Sequence, residues 1–209
     1  NGLGEFVERR PARYVEVGIA EQNLVTVASG LAHVGFKPFA ASYAAFNPGR
    51  NYEQIRTTIA LNDNPVKIVA THAGINTGPD GATHQMTEDI SLMRALPNMT
   101  VIAPGDEREA AEVAKFLTRY EHPAYVRMPR MEVRSFLGAK YQFEVGAVYR
   151  LKYGRDVTIF ATGNMTAEAL AAAEILAKNG VSTEVIHCPT ITPLSINAVG
   201  EILTSIAKT

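Results

Sequence analysis

Short apolar runs alternate along this chain with longer stretches whose apolar positions recur at helical spacing. Residues 13–17, 37–42, 66–71, 100–103 and 124–127 read as strands. Residues 20–34, 51–61, a stretch ending near residue 96, and 106–120 read as helices. The last of these places Asp106 to cap its first turn, with Glu109 three residues on, an Asx form of the capping box. The run 66–71 is nearly all apolar and bounded by Pro65, as expected of a strand buried on both faces. This alternation predicts right-handed βαβ units, hence an α/β fold with a doubly wound, mostly parallel sheet.

A second unit follows Met128-Pro129-Arg130. Residues 1–130 are expected to form the first domain and 131–153 a polar linker with one short strand near 143–149. Residues 154–209 then begin a second α/β domain. In it, 156–161 and 181–187 read as strands. Residues 166–179, ended by Gly180, and 197–207 read as helices. Those strands are too few to complete a sheet. The chain also opens at Asn1, not at an initiator methionine. It therefore reads as a section lacking residues at both ends.

Composition narrows the classes. The chain has 209 residues, 46% hydrophobic and 20% charged, ample for a packed core. A net charge of -1 argues against nucleic-acid and membrane partners. A single cysteine, Cys188, excludes an internal disulfide, fits a reducing compartment, and reads as a small buried hydrophobe more than a nucleophile. With no signal peptide and no apolar run of membrane-spanning length, a cytoplasmic location is expected.

The candidate chemistry begins at Val15-Glu16-Val17-Gly18-Ile19-Ala20-Glu21-Gln22-Asn23. Here a strand-like run passes through one glycine into a helix with Glu21 in its first turn. Leu24, Val25, Val27, Ala28, Leu31 and Ala32 cover most of that helix, so it should be buried or lie in a tight interface. A carboxylate there should have a partner or a shifted pKa. The plainer alternative is an acid that complements the helix macrodipole.

The stretch from Thr71 to Gln85 is a long glycine-bearing loop after a buried strand, where ligands of open α/β sheets bind. It brings His72, Asp80 and His84, two proton-transfer groups and one hydroxyl acceptor. Both histidines could instead be satisfied by backbone, and their spacing does not suit a zinc site. Tyr43 and Phe46, after the second strand, are either core aromatics or flat walls for a ring. Arg50, Gln54 and Arg56 nearby are expected in structural or interface roles. Arg127 and Arg130 offer planar forks that suit phosphate, or form a surface pair at a domain junction, the expectation for Arg130.

Val-Gly-Ile-Ala-Glu-Gln-Asn and the pattern histidine, Asp-Gly, His-Gln together resemble the pyrimidine-binding domain of transketolases. The segment after residue 153 resembles the start of their C-terminal domain. The resemblance implies the thiamine diphosphate-binding fold and transfer of a two-carbon ketol group between sugar phosphates, as in the pentose phosphate pathway. It makes Glu21 the acid that hydrogen-bonds N1' of the cofactor's aminopyrimidine and favours its imino tautomer. Tyr43, where many members have phenylalanine, and Phe46 would pack on that ring. His72 would reach a hydroxyl or phosphate of the sugar, Asp80 the donor's C2 hydroxyl, and His84 the substrate beside the reaction centre. Arg127 would take the phosphate.

The family's diphosphate and divalent metal (Mg or Ca) are held by a Gly-Asp-Gly segment followed by an asparagine. That segment is absent from this sequence, so no metal ligand is expected in this chain. An N-terminal transketolase subunit or domain is implied as partner, in a homodimer or heterotetramer with the Glu21 helix at the interface. 1-Deoxyxylulose-5-phosphate synthase shares Gly-Ile-Ala-Glu-Gln and Asp-Gly-x-Thr-His-Gln. It usually has histidine after Glu-Gln and arginine in place of His72, so Asn23 and His72 favour transketolase. A non-catalytic thiamine-binding paralogue also remains open.

Overall fold

In the computed structural model, residues 3–206 are described. The chain opens with a short helix α1 (Gly4–Arg9) and a single 3-10 turn, Pro11–Arg13. The strand expected at 13–17 is not formed. Tyr14 is extended, but residues 14–18 pair with no strand and hold themselves locally, Glu16 accepting from the Tyr14 hydroxyl and the Gly18 amide. An apolar, β-branched run makes a strand only where a sheet edge accepts it. Val15 and Ile19 stay exposed here.

Beyond it the elements follow the expected order with shifted ends. They are α2 (Glu21–His33), β1 (Phe39–Tyr43), α3 (Tyr52–Gln54) continuing as a π-helical segment Ile55–Ala60, and β2 (Lys67–Thr71). Next come α4 (Asp89–Arg94), β3 (Thr100–Ile102), α5 (Glu107–Leu117) and β4 (Ala124–Arg127). The π-helical widening coincides with Thr57 and Thr58, whose hydroxyls bond back to the carbonyls of Glu53 and Gln54.

The main sheet has the order β1-β2-β4-β3 and is parallel throughout that set. Its side chains alternate between two cores, as the period of two in a strand requires. Ile68, Ala70, Val101 and Tyr125 pack with Val25 and Ala28 of α2 and with Ile55, Ile59 and Met93. Ile102, Ala124 and Val126 pack on Val113 and Leu117 of α5. Helices thus cover both faces, which is the doubly wound arrangement.

Helix α2 buries one stripe and not its whole circumference: Glu21, Val25, Ala28, Ser29 and Ala32 are buried, whereas Leu24, Val27 and Leu31 are half-exposed. Lys67, inside the run read as apolar, is fully buried, its Nζ donating to the carbonyls of Tyr120 and His122 at 2.7 and 2.6 Å.

The remaining elements are β5 (Tyr149–Lys152), β6 (Val157–Ala161), α6 (Met165–Lys178), β7 (Thr183–His187), β8 (Thr190–Thr192) and α7 (Ile196–Ile206). The short strand expected near 143–149 forms later, as β5, because Tyr149 and Arg150 find partners in His187 and Ile186. A three-stranded sheet, β5-β7-β6, packs Val185 on Ala169 and Ala173 of α6. Gly180, at φ 81°, ends α6 with its amide on the Ala177 carbonyl, as a left-handed helix terminus does. The C-terminal end expected for the last helix, residue 207, lies outside the described residues.

Strand β8 was not foreseen. It leaves the second unit and pairs antiparallel with β3, so the first sheet takes its fifth strand from the far part of the chain. Among the described residues no helix is long and apolar enough to cross a membrane.

Candidate functional site

Parallel strands end at one edge, and the candidate residues collect there. Tyr43 and Thr71 are in register at the ends of β1 and β2, and Ala70 pairs with Arg127 at the end of β4. Immediately after β1 the chain turns tightly. The amides of Phe46 and Asn47 both donate to the Tyr43 carbonyl, and that of Arg50 to the Phe46 carbonyl. A Cβ on Gly49 would lie 2.1 Å from the Ala45 carbonyl oxygen, so only glycine fits the turn. Two wholly buried amides, Asn47 and Asn51, brace it. Asn47 donates to the Ala40 carbonyl, and Asn51 to the Glu21 carbonyl and to Asn47 Oδ1.

This turn sets four aromatic rings together. Tyr43 stacks on His72 at 3.7 Å between centroids and lies nearly parallel to Phe46 at 6.2 Å. His84 presents its edge to Phe46 at 5.3 Å and to Tyr43 at 6.5 Å. Tyr43, Phe46, His72 and His84, predicted from three separate places in the sequence, therefore form one wall.

Glu21 joins that wall through Arg50. Arg50 Nη1 donates to Glu21 Oε2 at 2.9 Å, and the guanidinium carbon stands over the Phe46 ring at 4.5 Å. The carboxylate is 10% exposed and the arginine 51%. The partner that a buried glutamate demands is thus Arg50, a residue expected only in a structural or interface role. The demand for a counter-charge was the signal that could have found it.

The loop from His72 to Gln85 is held from within. The Thr77 side chain is fully buried, its Oγ1 within hydrogen-bonding distance of the carbonyls of His72, Gly74 and His84. Gly74 and Met86 form a lone bridge that closes the loop's base. His72 itself sits at φ 58°, a left-handed conformation that a non-glycine residue keeps only where its surroundings hold it. Burial, and after it the positive charge of Arg130, push the His72 imidazole below its ordinary pKa. Thr71 Oγ1 lies 3.0 Å from His72 Nδ1, and Thr83 Oγ1 lies 2.8 Å from His84 Nδ1.

The two arginines do different work. Arg127 Nε donates to Asp89 at 2.8 Å, and the wholly buried Asp89 also accepts from the Tyr125 hydroxyl at 2.8 Å. Arg127 Nη2 lies 3.0 Å from where a Cβ on Gly74 would be, so the loop glycine admits this side chain. Arg130, expected as a surface pair, donates to the Thr77 carbonyl and lies 4.0 Å from Asp80. It therefore clamps the loop. Asp80 faces Arg130, and its negative charge acts on the His72 imidazole of the wall, partly offsetting the effect of Arg130. Asp89 and Thr77 were not legible as site residues, and Arg130, weighed for phosphate, was expected at the surface.

Glu21, Phe46 and Tyr43 suit a planar nitrogen heterocycle: a nearly buried carboxylate beside flat aromatic faces, already satisfied by one planar N–H donor. Among the described residues no group of three histidine, cysteine, aspartate or glutamate side chains is arranged to hold a metal.

The transketolase pyrimidine binding domain family matches residues 1–135, and the transketolase C-terminal domain family matches residues 146–209. A protein of Methanocaldococcus jannaschii, named for the C-terminal section of transketolase, is 46% identical over 191 residues. That match covers 90% of this chain and 60% of the relative. A 1-deoxy-D-xylulose-5-phosphate synthase of Desulforudis audaxviator is 38% identical over 198 residues, covering 92% of this chain and 30% of the synthase. A solved structure described as a split gene transketolase, an inactive beta4 tetramer, superposes with a TM-score of 0.87 at 41% identity. It covers 98% of this chain and 65% of that one. The chain thus spans less than two thirds of the length of these relatives.

Proposed function

This chain belongs to the transketolase family, and we propose that it serves as the pyrimidine-binding section of a ketol transferase completed by a partner that holds the cofactor's diphosphate and divalent metal. The observation that carries this reading is the linkage of Glu21 to the Phe46–Tyr43 wall through Arg50, where β1 ends at the carboxyl edge of the sheet. Thiamine diphosphate, when bound there, supplies a carbon able to add to a ketose carbonyl and carry a two-carbon unit.

The chain's own residues do the rest. Glu21, its carboxylate nearly buried, would share a proton with the ring nitrogen N1' of the bound cofactor. Phe46 and Tyr43 hold the ring flat. Thr71 and Thr83 engage the Nδ1 atoms of His72 and His84, so proton exchange with a sugar passes through the Nε2 atoms. A lowered pKa keeps His72 neutral at pH 7, able to donate to or accept from a hydroxyl. Asp80 reads the donor's C2 hydroxyl, and Arg127, oriented by Asp89, takes the phosphate. The assembly is a homodimer or heterotetramer in the cytoplasm. The domain division at residues 130 and 153 belongs to the same proposal.

The synthase relative supports a second reading, 1-deoxyxylulose-5-phosphate formation, which Asn23 and His72 disfavour. Glu21→Ala should abolish ketol transfer by the chain reconstituted with its partner while leaving its unfolding curve unchanged. Turnover retained by that variant would refute the assignment.

A further inference from the structure

The guanidinium of Arg50 already makes the contacts that an aminopyrimidine would make. It is planar, donates N–H to Glu21 Oε2 at 2.9 Å, and stands over the Phe46 ring at 4.5 Å. A protonated aminopyrimidine is an amidinium, likewise a planar N–C–N cation. It donates to a carboxylate and stacks on an aromatic face by the same forces. Resting on the cofactor reading above, we infer that Arg50 is the resident occupant of the pyrimidine half-site, holding Glu21 and Phe46 in binding geometry until a heterocycle displaces it.

Three features make Arg50 displaceable rather than structural. Its backbone is fixed by the tight Gly49 turn and the buried Asn47 and Asn51, so only the side chain can move. That side chain is 51% exposed and has an open path to solvent. With its guanidinium half in water, Arg50 gives up little on leaving the pair, so a ligand can replace it. The carboxylate, at 10% exposure, could not be left bare without a large desolvation cost. Exchanging one planar donor for another avoids that state. Arg50 therefore competes with the cofactor ring, and it keeps the site assembled when the ring is absent.

Thiamine carries the ring without the diphosphate, so it probes this half-site alone. We would titrate it calorimetrically into the chain and into Arg50→Ala and Glu21→Gln, following relaxation of the Arg50 Nε–H in the wild type by NMR. A side chain seated nine-tenths of the time lowers apparent affinity about tenfold, so Arg50→Ala should bind thiamine about tenfold more tightly. In the wild type, saturating thiamine should release the ordered Arg50 side chain into fast motion. A merely structural arginine would give weaker binding when removed. If Arg50→Ala binds no more tightly, or Arg50 stays ordered under thiamine, while Glu21→Gln loses binding, the occupant role falls and the cofactor reading stands. If Glu21→Gln binds as the wild type does, or no chain binds thiamine up to its solubility, both fall.

Discussion

His187 at the end of β7 and Glu109 in the first turns of α5 meet at 2.7 Å, with neither side chain exposed. Since a carboxylate only accepts, His187 donates through Nε2, and its Nδ1 lies 2.7 Å from Thr166 Oγ1 of α6. The same carboxylate accepts from the Gly105 amide at 2.5 Å and from the Tyr141 hydroxyl. Burial first, and then that bond to Glu109, raise the Tyr141 hydroxyl far above its ordinary range. One side chain thus ties the first sheet's helix to the linker and to the second sheet. Gly105 is required beside it, because a Cβ there would lie 2.9 Å from the His187 ring.

Glu109→Ala should therefore lower unfolding free energy by at least about 3 kcal/mol, because it leaves the Gly105 amide, the Tyr141 hydroxyl and His187 Nε2 without their acceptor, at about 1–3 kcal/mol for each such group. Thr166→Val should lose only about 1 kcal/mol. Urea unfolding measures both, and similar small losses for the two would mean that the joint does not stabilise the fold.

Lys67 gives a pH signature. Burial holds its ammonium down to about 8 against an ordinary value of 10.5. At neutral pH both folded and unfolded chains are protonated, and the folded chain bears the full burial penalty. Above pH 8 the folded state releases the proton while the unfolded chain keeps it, so stability rises with pH through this window. Relative to Lys67→Met, the wild type should gain on the order of 3 kcal/mol when the window is crossed completely. Melting both proteins at pH 7, 8, 9 and 10 tests this. A difference that stays constant with pH would contradict it.

Asp80 tests the sugar side. It faces Arg130 at 4.0 Å with its side chain 40% exposed, so its removal should leave the loop clamp on the Thr77 carbonyl in place. Asp80→Ala should then raise KM for ketose donors at least about tenfold, the equivalent of one lost hydrogen bond to a charged group, and leave aldose acceptors little changed. Equal loss for donors and acceptors would argue against a donor-hydroxyl role.

Much of the architecture was readable because it rests on short-range rules. Asp106 accepts from the Glu109 amide at 3.1 Å as the cap pattern predicts, and Gly180 closes α6. The reciprocal half of the capping box failed for a tertiary reason: Glu109 turns to Gly105, Tyr141 and His187 instead of back to residue 106. The strand expected at residues 13–17 failed likewise, because its pattern carries no information about whether an edge will receive it. The candidate site was visible as residue types, with Tyr43, Phe46, His72 and His84 each readable as core or loop residues until the sheet edge joined them.

By itself, then, the amino-acid sequence determined the alternation of strands and helices, the caps, the glycine-bearing loop and the presence of an acid that could not stay unpaired. These follow from neighbours a few residues apart, where hydrophobic period and backbone sterics decide. Only the tertiary structure decided that Arg50 answers Glu21, that Lys67 points into the core, and that β8 crosses to the first sheet. Each of those is a choice among distant partners. Such choices are settled by which polar groups burial leaves unsatisfied once the sheets have packed.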